Sequence, residues 1–378
     1  MKILLVITKG NYGGAQRYVC DVASGMIAKG NHVTVAFGEP GLLAGHLANL
    51  GISHVILPRL ARDPAPINDL RAIFDLRQLI HNERPDVVHL NSSKAGFLGA
   101  IAARTILRNR PTVVFTVHGW PFNEKRSRPA RLLYYVLSMV IVALSDVVIC
   151  VSRKALSDLQ PPFMRRRATV IHNGIRPAVC DPPVGEIGRR VATERARRKF
   201  LIATIAELHK NKGLDSGISI LGSLREAGVP VHWFIFGEGE ERALLEERIR
   251  AARLEEVVTL CGYVQDASRY LPLFDVFFLP SHTEAFPYVL LEAASSGLPS
   301  VARAVGGIPE LVVQEVTGLL GENDRELGTH LERLARDTLL RSRLGAAAKE
   351  KVSDFSLDRM IEATRRVYAL AGPGGRIA

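Results

Sequence analysis

Cysteine is scarce in this chain of 378 residues. Cys20, Cys150, Cys180 and Cys261 are scattered, and no two stand at the spacing of a metal-ligand or redox pair. A reducing cytosol is the simple inference. Long apolar runs are missing as well. No segment offers 18 uninterrupted apolar residues, so no transmembrane span is expected. The apolar run Ile3–Ile7 is too short for a signal peptide, and Lys9 interrupts it. There is no Asp-x-Asp tripeptide anywhere. The basic clusters have neither interleaved aromatics nor a recognised nucleic-acid module, which argues against a nucleic-acid partner.

What is present suffices for sizeable cores: 47% of the residues are hydrophobic and 23% charged. The length suits two domains. The net charge of +11 is unevenly placed. Residues 1–180 carry 23 lysines and arginines against 10 acids, and residues 181–378 carry 26 against 28. A basic half beside a slightly acidic one suggests that one half meets an anionic surface, lipid or phosphorylated substrate.

Two runs of alternating strand and helix patterns fill the chain. Lys2–Thr8 reads as a buried parallel strand. It ends in Lys9-Gly10-Asn11-Tyr12-Gly13-Gly14, and a helix over Ala15–Lys29 follows. The loop lacks G-x-G-x-x-G spacing and a Walker lysine, so alone it is compatible with a plain tight turn. Strands over His32–Phe37, His54–Leu57, Asp86–Leu90, Thr112–Val117 and Asp146–Val151 continue the pattern, a Rossmann-like domain. Ligands of such sheets sit at the carboxyl ends of the strands. His118, followed by Gly119, stands at one. Pro182-Pro183, glycines and an arginine cluster mark a linker. The second run has strands over Lys199–Ala206, Val231–Gly237, Val257–Cys261, Val276–Pro280, Pro299–Ala302 and Gly318–Leu320. The boundaries expected are 1–180, a linker over 181–198, a second domain over 199–356, and a terminal helix with its tail over 357–378.

The stretch Ser281–Glu310 organises the second half. Glu284 lies in the loop after a buried strand, and Pro287 suits the first turn of a helix over Tyr288–Ser296 that carries Glu292. One acid on a loop and one on a helix thus flank a helix N-terminus, which attracts phosphate. Paired acids beside a phosphate site suit sugar hydroxyls, which need acceptors.

Glu284-x7-Glu292, followed by Gly306-Gly307-Ile308-Pro309-Glu310, resembles the retaining glycosyltransferases of family 4, which have the GT-B fold. Asn211-Lys212-Gly213, His118-Gly119 and the exit His172-Asn173-Gly174-Ile175 are similar to the same family, so the resemblance covers nearly the whole chain. It implies an α/β architecture of two Rossmann-like domains facing across a cleft, with the terminal helix crossing back to the first domain. It implies retaining transfer of a hexosyl or N-acetylhexosaminyl group from a nucleotide-sugar, a UDP-sugar ahead of a GDP-sugar. The implied acceptor is a saccharide or lipid-linked sugar in polysaccharide or glycan assembly. No cofactor and no metal are expected: Asn323-Asp324 and similar acids lack ligand company. By the same resemblance His118, Lys212 and Glu284 are the catalytic candidates. Lys212 serves the leaving diphosphate, Glu284 the donor sugar, and His118 the sugar near its anomeric centre. Gly13 and Gly14 face the diphosphate, Tyr263 and Val264 the base, and Glu292 the ribose hydroxyls. Ala285, Phe286, Val289 and Leu290 complete the donor site, where the helix N-terminus adds N–H donors.

One residue departs from the family pattern. Relatives carry an arginine five residues before the lysine, and this chain has Glu207 there. A carboxylate repels phosphate, so Lys210 or Arg303 is the expected stand-in. Glu207 also keeps a second reading open, a nucleotide-binding partner or scaffold subunit without transferase activity. A nucleotide-sugar epimerase would need further acid/base residues that the sequence does not offer.

Residues 121–151 stand apart. Lys125, Arg126, Arg128 and Arg131 crowd before the apolar run Leu132–Leu144, which is too short to span a bilayer. Two expectations are open: a core helix beside a solvated basic loop, or a shallow contact with an anionic membrane. The location expected is cytoplasmic, with peripheral attachment to the inner face of the cell membrane as the variant.

Overall fold

The structure, a computed structural model, describes residues 1–371 except 62, 64, 125, 178–180 and 184. The expected disorder of Gly372–Ala378, together with Lys125 and Cys180, lies outside the described residues.

The chain divides into two compact units. The first takes Met1–Asn173 and the terminal helix Leu357–Ala371. Its strands are β1 (Lys2–Ile7), β2 (His32–Phe37), β3 (Ser53–Ile56), β4 (Val87–Leu90), β5 (Thr112–Val117), β6 (Val147–Cys150) and β7 (Ala168–Val170). They form one parallel sheet in the order β3-β2-β1-β4-β5-β6-β7. β1, β4, β5 and β6 are near-continuous apolar runs because helices cover both faces of a parallel sheet.

The second unit is Gly174–Ser356. Its strands are β8 (Phe200–Ile205), β9 (Val231–Phe236), β10 (Val258–Gly262), β11 (Val276–Leu279), β12 (Ser300–Arg303) and β13 (Gly318–Gly321). They are again all parallel, in the order β10-β9-β8-β11-β12-β13. Both sheets therefore follow the doubly wound rule. The chain starts in the middle, winds one way, then returns and winds the other. The order reverses between β1 and β4 in the first unit and between β8 and β11 in the second, and such switch points open a crevice for ligands.

Three departures from the sequence reading have physical causes. The expected linker, 181–198, contains a helix, Glu186–Ala196. Its Glu194 is buried and paired with Lys199 at 2.8 Å, and Arg195 pairs with Asp275 at 3.2 Å, so ion pairs tie this arginine-rich stretch to the second unit. An unforeseen 3₁₀ segment, Ala267–Leu273, precedes β11, with Tyr270 and Leu271 in the core. The apolar run after the basic cluster forms the helix Arg128–Leu144, but it is not a core helix on all sides. Ser138, Ile141 and Val142 are buried, whereas Leu132 and Leu133 are 64% and 57% exposed and Val136 and Val140 share their outward side. Positions 132, 136 and 140 recur every four residues, so the exposed side chains form one stripe.

Candidate active site

In the second unit, β8 and β11 are neighbours at the switch point. The loop leaving β8 becomes the short 3₁₀ turn Lys210–Lys212, and the loop leaving β11 carries Ser281 and Glu284. The two loops are stitched together: His282 N donates to Asn211 O at 2.8 Å. Gly213 has φ +63°, and a Cβ there would stand 2.3 Å from Pro280 O, so both conformation and space demand glycine. Gly306 presses on the other side of the β11 loop. It has φ +55°, and a Cβ would fall 1.5 Å from Glu284 O. Two glycines thus clamp the loop that carries Glu284 between its neighbours.

The result is a charged pair. Lys212 Nζ donates to Glu284 Oε1 at 2.6 Å, and Ser281 Oγ donates to the same oxygen at 2.8 Å. Glu284 is mostly enclosed and Lys212 more open. The lysine is positioned from below: Asn211 N donates to His209 Nδ1 at 3.1 Å, which caps the turn.

Helix Tyr288–Ser295 starts right after this loop, with Pro287 as its N-cap and no side-chain cap. Phe286 and Leu290 are buried, Phe286 against Phe355 with ring centroids 5.5 Å apart. Their side chains belong to the core, and Leu290 N donates to Pro287 O at 3.2 Å. Ala285, Val289 and Glu292 are partly exposed. At the end of β10, Tyr263 is half exposed and Val264 partly so.

Arg303 does not stand free. It is 8% exposed; Nε donates to Pro280 O at 3.1 Å and one terminal nitrogen to Asp324 Oδ1 at 2.5 Å. It braces the β11 loop and is not available as the missing phosphate clamp. The same pair accounts for Asp324. Lys210 and Glu207 are both exposed. Among the described residues no group of three or more histidines, cysteines or acids is arranged to hold a metal ion.

In the first unit, Gly13 and Gly14 are exposed at the start of helix Gly14–Ala28. Gln16 supports their loop, its Nε2 donating to Lys9 O at 3.2 Å and to Asn11 Oδ1 at 2.9 Å. His118 follows β5. Its Nε2 is buried and has no hydrogen-bond partner among the described residues. Burial pushes its pKa down to about 3, so the imidazole is neutral at physiological pH. Sequence reasoning missed His89, which is wholly buried in β4 and hydrogen-bonded through both ring nitrogens. A histidine in the apolar run Val87–Leu90 was the available signal, because a buried polar group must find partners.

The comparisons with known proteins cover most of the chain. The model of Glycosyltransferase Family 4 matches residues 12–179, and that of Glycosyl transferases group 1 matches residues 189–351. A curated relative from Escherichia coli, the UDP-Gal:alpha-D-GlcNAc-diphosphoundecaprenol alpha-1,3-galactosyltransferase, is 28% identical over 341 residues, 87% of each chain. The capsular polysaccharide biosynthesis glycosyltransferase CapM of Staphylococcus aureus is 24% identical over 84% of each. Among solved structures, Anabaena Alr3699/HepE in complex with UDP and glucose shares the fold, with a TM-score of 0.82 and 22% identity. That match covers 98% of this chain and 99% of the other.

Proposed function

The chain belongs to the GT-B glycosyltransferases of the family 4 type, and from that premise we propose that it moves a hexosyl or N-acetylhexosaminyl group from a nucleotide-sugar to a lipid-linked sugar, with retention and without a metal. A UDP-sugar is favoured over a GDP-sugar as donor. The observation that carries the reading is the Lys212–Glu284 pair at 2.6 Å beside the switch point of the second sheet. Glycosyl transfer needs a cation for the diphosphate as the glycosidic bond breaks, and a carboxylate to accept sugar hydroxyls. Both groups are at hand, and each neutralises the other until a ligand separates them. When donor binds, Lys212 turns to the diphosphate and Glu284 to the sugar. The first N–H groups of helix Tyr288–Ser295 join Lys212 on the phosphates, Glu292 takes the ribose, and Tyr263 and Val264 take the base. His118 hydrogen-bonds the transferred sugar through Nε2. As the family resemblance implies, acceptor attack and leaving-group departure share one face through an oxocarbenium-like state.

The lipid-linked acceptor draws support from the name of the Escherichia coli relative, whose acceptor is a diphosphoundecaprenol-linked sugar. It also draws support from the helix Arg128–Leu144. No helix among the described residues is long and apolar enough to cross a membrane. The outward stripe Leu132, Leu133, Val136 and Val140 follows exposed Arg128 and Arg131, an arrangement suited to an anionic bilayer surface. Peripheral attachment at the cytoplasmic face follows from this reading.

The test is transfer by purified protein from a panel of UDP- and GDP-sugars to a lipid-diphosphate-linked sugar, with and without EDTA. The expected product keeps the donor's anomeric configuration, and EDTA leaves the rate unchanged. Absence of transfer with every donor, or an inverted product, overturns the reading. Sedimentation with vesicles tests the surface: binding should require anionic lipid and fall with added salt. Equal binding to neutral vesicles would remove the electrostatic part.

A further inference from the structure

The carboxyl end of β5 is wired to the terminal helix by buried hydrogen bonds that the reading above does not use. His89, in the middle of β4, is inaccessible to solvent. Its Nδ1 lies 2.6 Å from the hydroxyl of Tyr368, and its Nε2 lies 2.6 Å from the hydroxyl of Thr116. The Thr116 hydroxyl lies in turn 3.3 Å from that of Tyr18, which also bonds Thr364. Tyr368 and Thr364 are four residues apart and share one face of the terminal helix. The chain of contacts therefore touches that helix twice and also includes β4, β5 and helix Gly14–Ala28.

This network ends on His118. Thr116 and His118 are two apart along β5 and its exit, so they project to the same side. The Tyr18 ring meets the His118 ring edge-on, at a centroid distance of 4.8 Å and an interplanar angle of 73°. Every polar atom of the network named so far has a partner, whereas His118 Nε2 has none among the described residues. A core built only for stability would use apolar side chains here or satisfy every atom, because an unpaired buried polar atom is destabilising. The arrangement packs one neutral imidazole against the Tyr18 ring and leaves its Nε2 without a partner among the described residues.

We propose that Thr116, Tyr18, His89 and Tyr368 are positioning residues for His118, and that the terminal helix takes part in the reaction through Tyr368 and Thr364. The inference rests on the role given to His118 above. It makes the helix part of the catalytic apparatus rather than a strap.

The decisive experiment is a double-mutant cycle on transfer kinetics. Thr116→Val keeps the shape of the side chain and removes the hydroxyl that joins Tyr18 to His89. It should lower kcat by roughly ten- to a hundredfold, the order that follows from misplacing a reacting group. Donor KM and nucleoside diphosphate affinity should stay at wild-type values. Thr116→Ser should restore most of the rate, and Tyr368→Phe should lower it less than Thr116→Val. In the His118→Ala background, Thr116→Val should cost nothing further. Equal losses with and without His118 overturn the positioning role while leaving the glycosyltransferase reading intact. Full turnover by His118→Ala overturns both the role of His118 and this inference. A second readout needs no turnover. In nitrogen-15 spectra of the histidine side chains, Thr116→Val should shift the His118 ring signals, and unchanged signals in a folded variant overturn the proposal.

Discussion

The two sheets obey the same winding rule but end in opposite chemistry. At the carboxyl ends of the second sheet's strands the groups are charged and paired within the protein: Lys212 with Glu284 after β8 and β11, Arg303 with Asp324 after β12 and β13. Along β4 and toward the end of β5 they are neutral hydroxyls and imidazoles, and one nitrogen, His118 Nε2, has no partner among the described residues. A lone charge in a partly enclosed site is costly, so a cation meant for a ligand must have a counterion until that ligand arrives. A neutral imidazole left unpaired is destabilising too, but by less than a lone charge. On the proposed reading the charged end serves a leaving group that gains charge as its bond breaks.

Removing the cation should have the largest effect. Charge on the diphosphate grows as the bond breaks, so Lys212 should contribute more in the transition state than in the ground state. Loss of a comparable preorganised donor costs roughly 2.7–4 kcal/mol, about a hundred- to thousandfold in rate. Lys212→Ala should lower kcat by that order and weaken donor binding less. Lys212→Arg should recover part, because a planar fork is not a point charge. Wild-type kcat for Lys212→Ala at saturating donor would assign the leaving group to another residue.

The pairing itself can be broken from the other side. Glu284 competes with the diphosphate for Lys212. Glu284→Gln should therefore abolish most transfer and yet tighten the binding of free nucleoside diphosphate, by about two- to fivefold if the half-open pair is worth roughly 0.5–1 kcal/mol. Isothermal titration reads this directly. Weaker nucleoside diphosphate binding in Glu284→Gln would mean that the carboxylate supports Lys212 rather than restraining it.

Acid should separate the two sheets. Burial lowers the pKa of His89 to about 3, against 6.5 for a free histidine. Between those values the unfolded chain binds a proton that the folded chain refuses. The stabilisation is complete above about pH 6.5 and is lost as pH falls toward 3. From pH 7 to pH 5 His89 alone should cost the first unit about 2 kcal/mol, and His118 acts in the same direction. In the second unit burial lowers His232 to about 4, but the Glu194 carboxylate opposes the shift. Amide hydrogen exchange should thus show β4 and β5 losing protection at pH 5 before β8 and β9. The reverse order would mean that the neutral network is not the acid-sensitive element.

The fold was readable because periodicity and glycine placement are local. Continuous β-branched runs gave nearly every strand to within a residue or two, and Gly213 and Gly306 stand where the tight turns are. The loop positions of Lys212 and Glu284 were readable for the same reason. Their pairing was not, since it depends on β11 adding beside β8, a contact between residues 72 apart. That Arg303 cannot stand in for the missing arginine is not legible in the sequence, because its enclosure by Pro280 O and Asp324 is tertiary. The His89 network joins residues as far as 279 apart, and only the polar residue inside an apolar strand hinted at it. The basic-apolar segment was ambiguous because an all-apolar run cannot say which side faces out.

The smallest effect concerns the missing clamp. Glu207 sits five residues before Lys212 with its side chain exposed, while its carbonyl O accepts from His209 N at 2.8 Å. The backbone beside it is fixed: Leu208 N donates to Glu238 O at 2.9 Å, and Leu208 itself is buried. An arginine at this position would keep that backbone while its longer side chain swings from an anchored base. In solvent such a cation gains only a fraction of what an enclosed one would, roughly 0.5–1 kcal/mol, and salt weakens it. Glu207→Arg should therefore raise nucleoside diphosphate affinity about two- to fivefold at low ionic strength, and the gain should shrink as salt is added. The change removes a repelling carboxylate as well, so Glu207→Gln is the control that isolates that half. If Glu207→Gln matches Glu207→Arg, the new guanidinium does not reach the phosphates. The charged end of the second sheet then gains nothing from a cation at position 207.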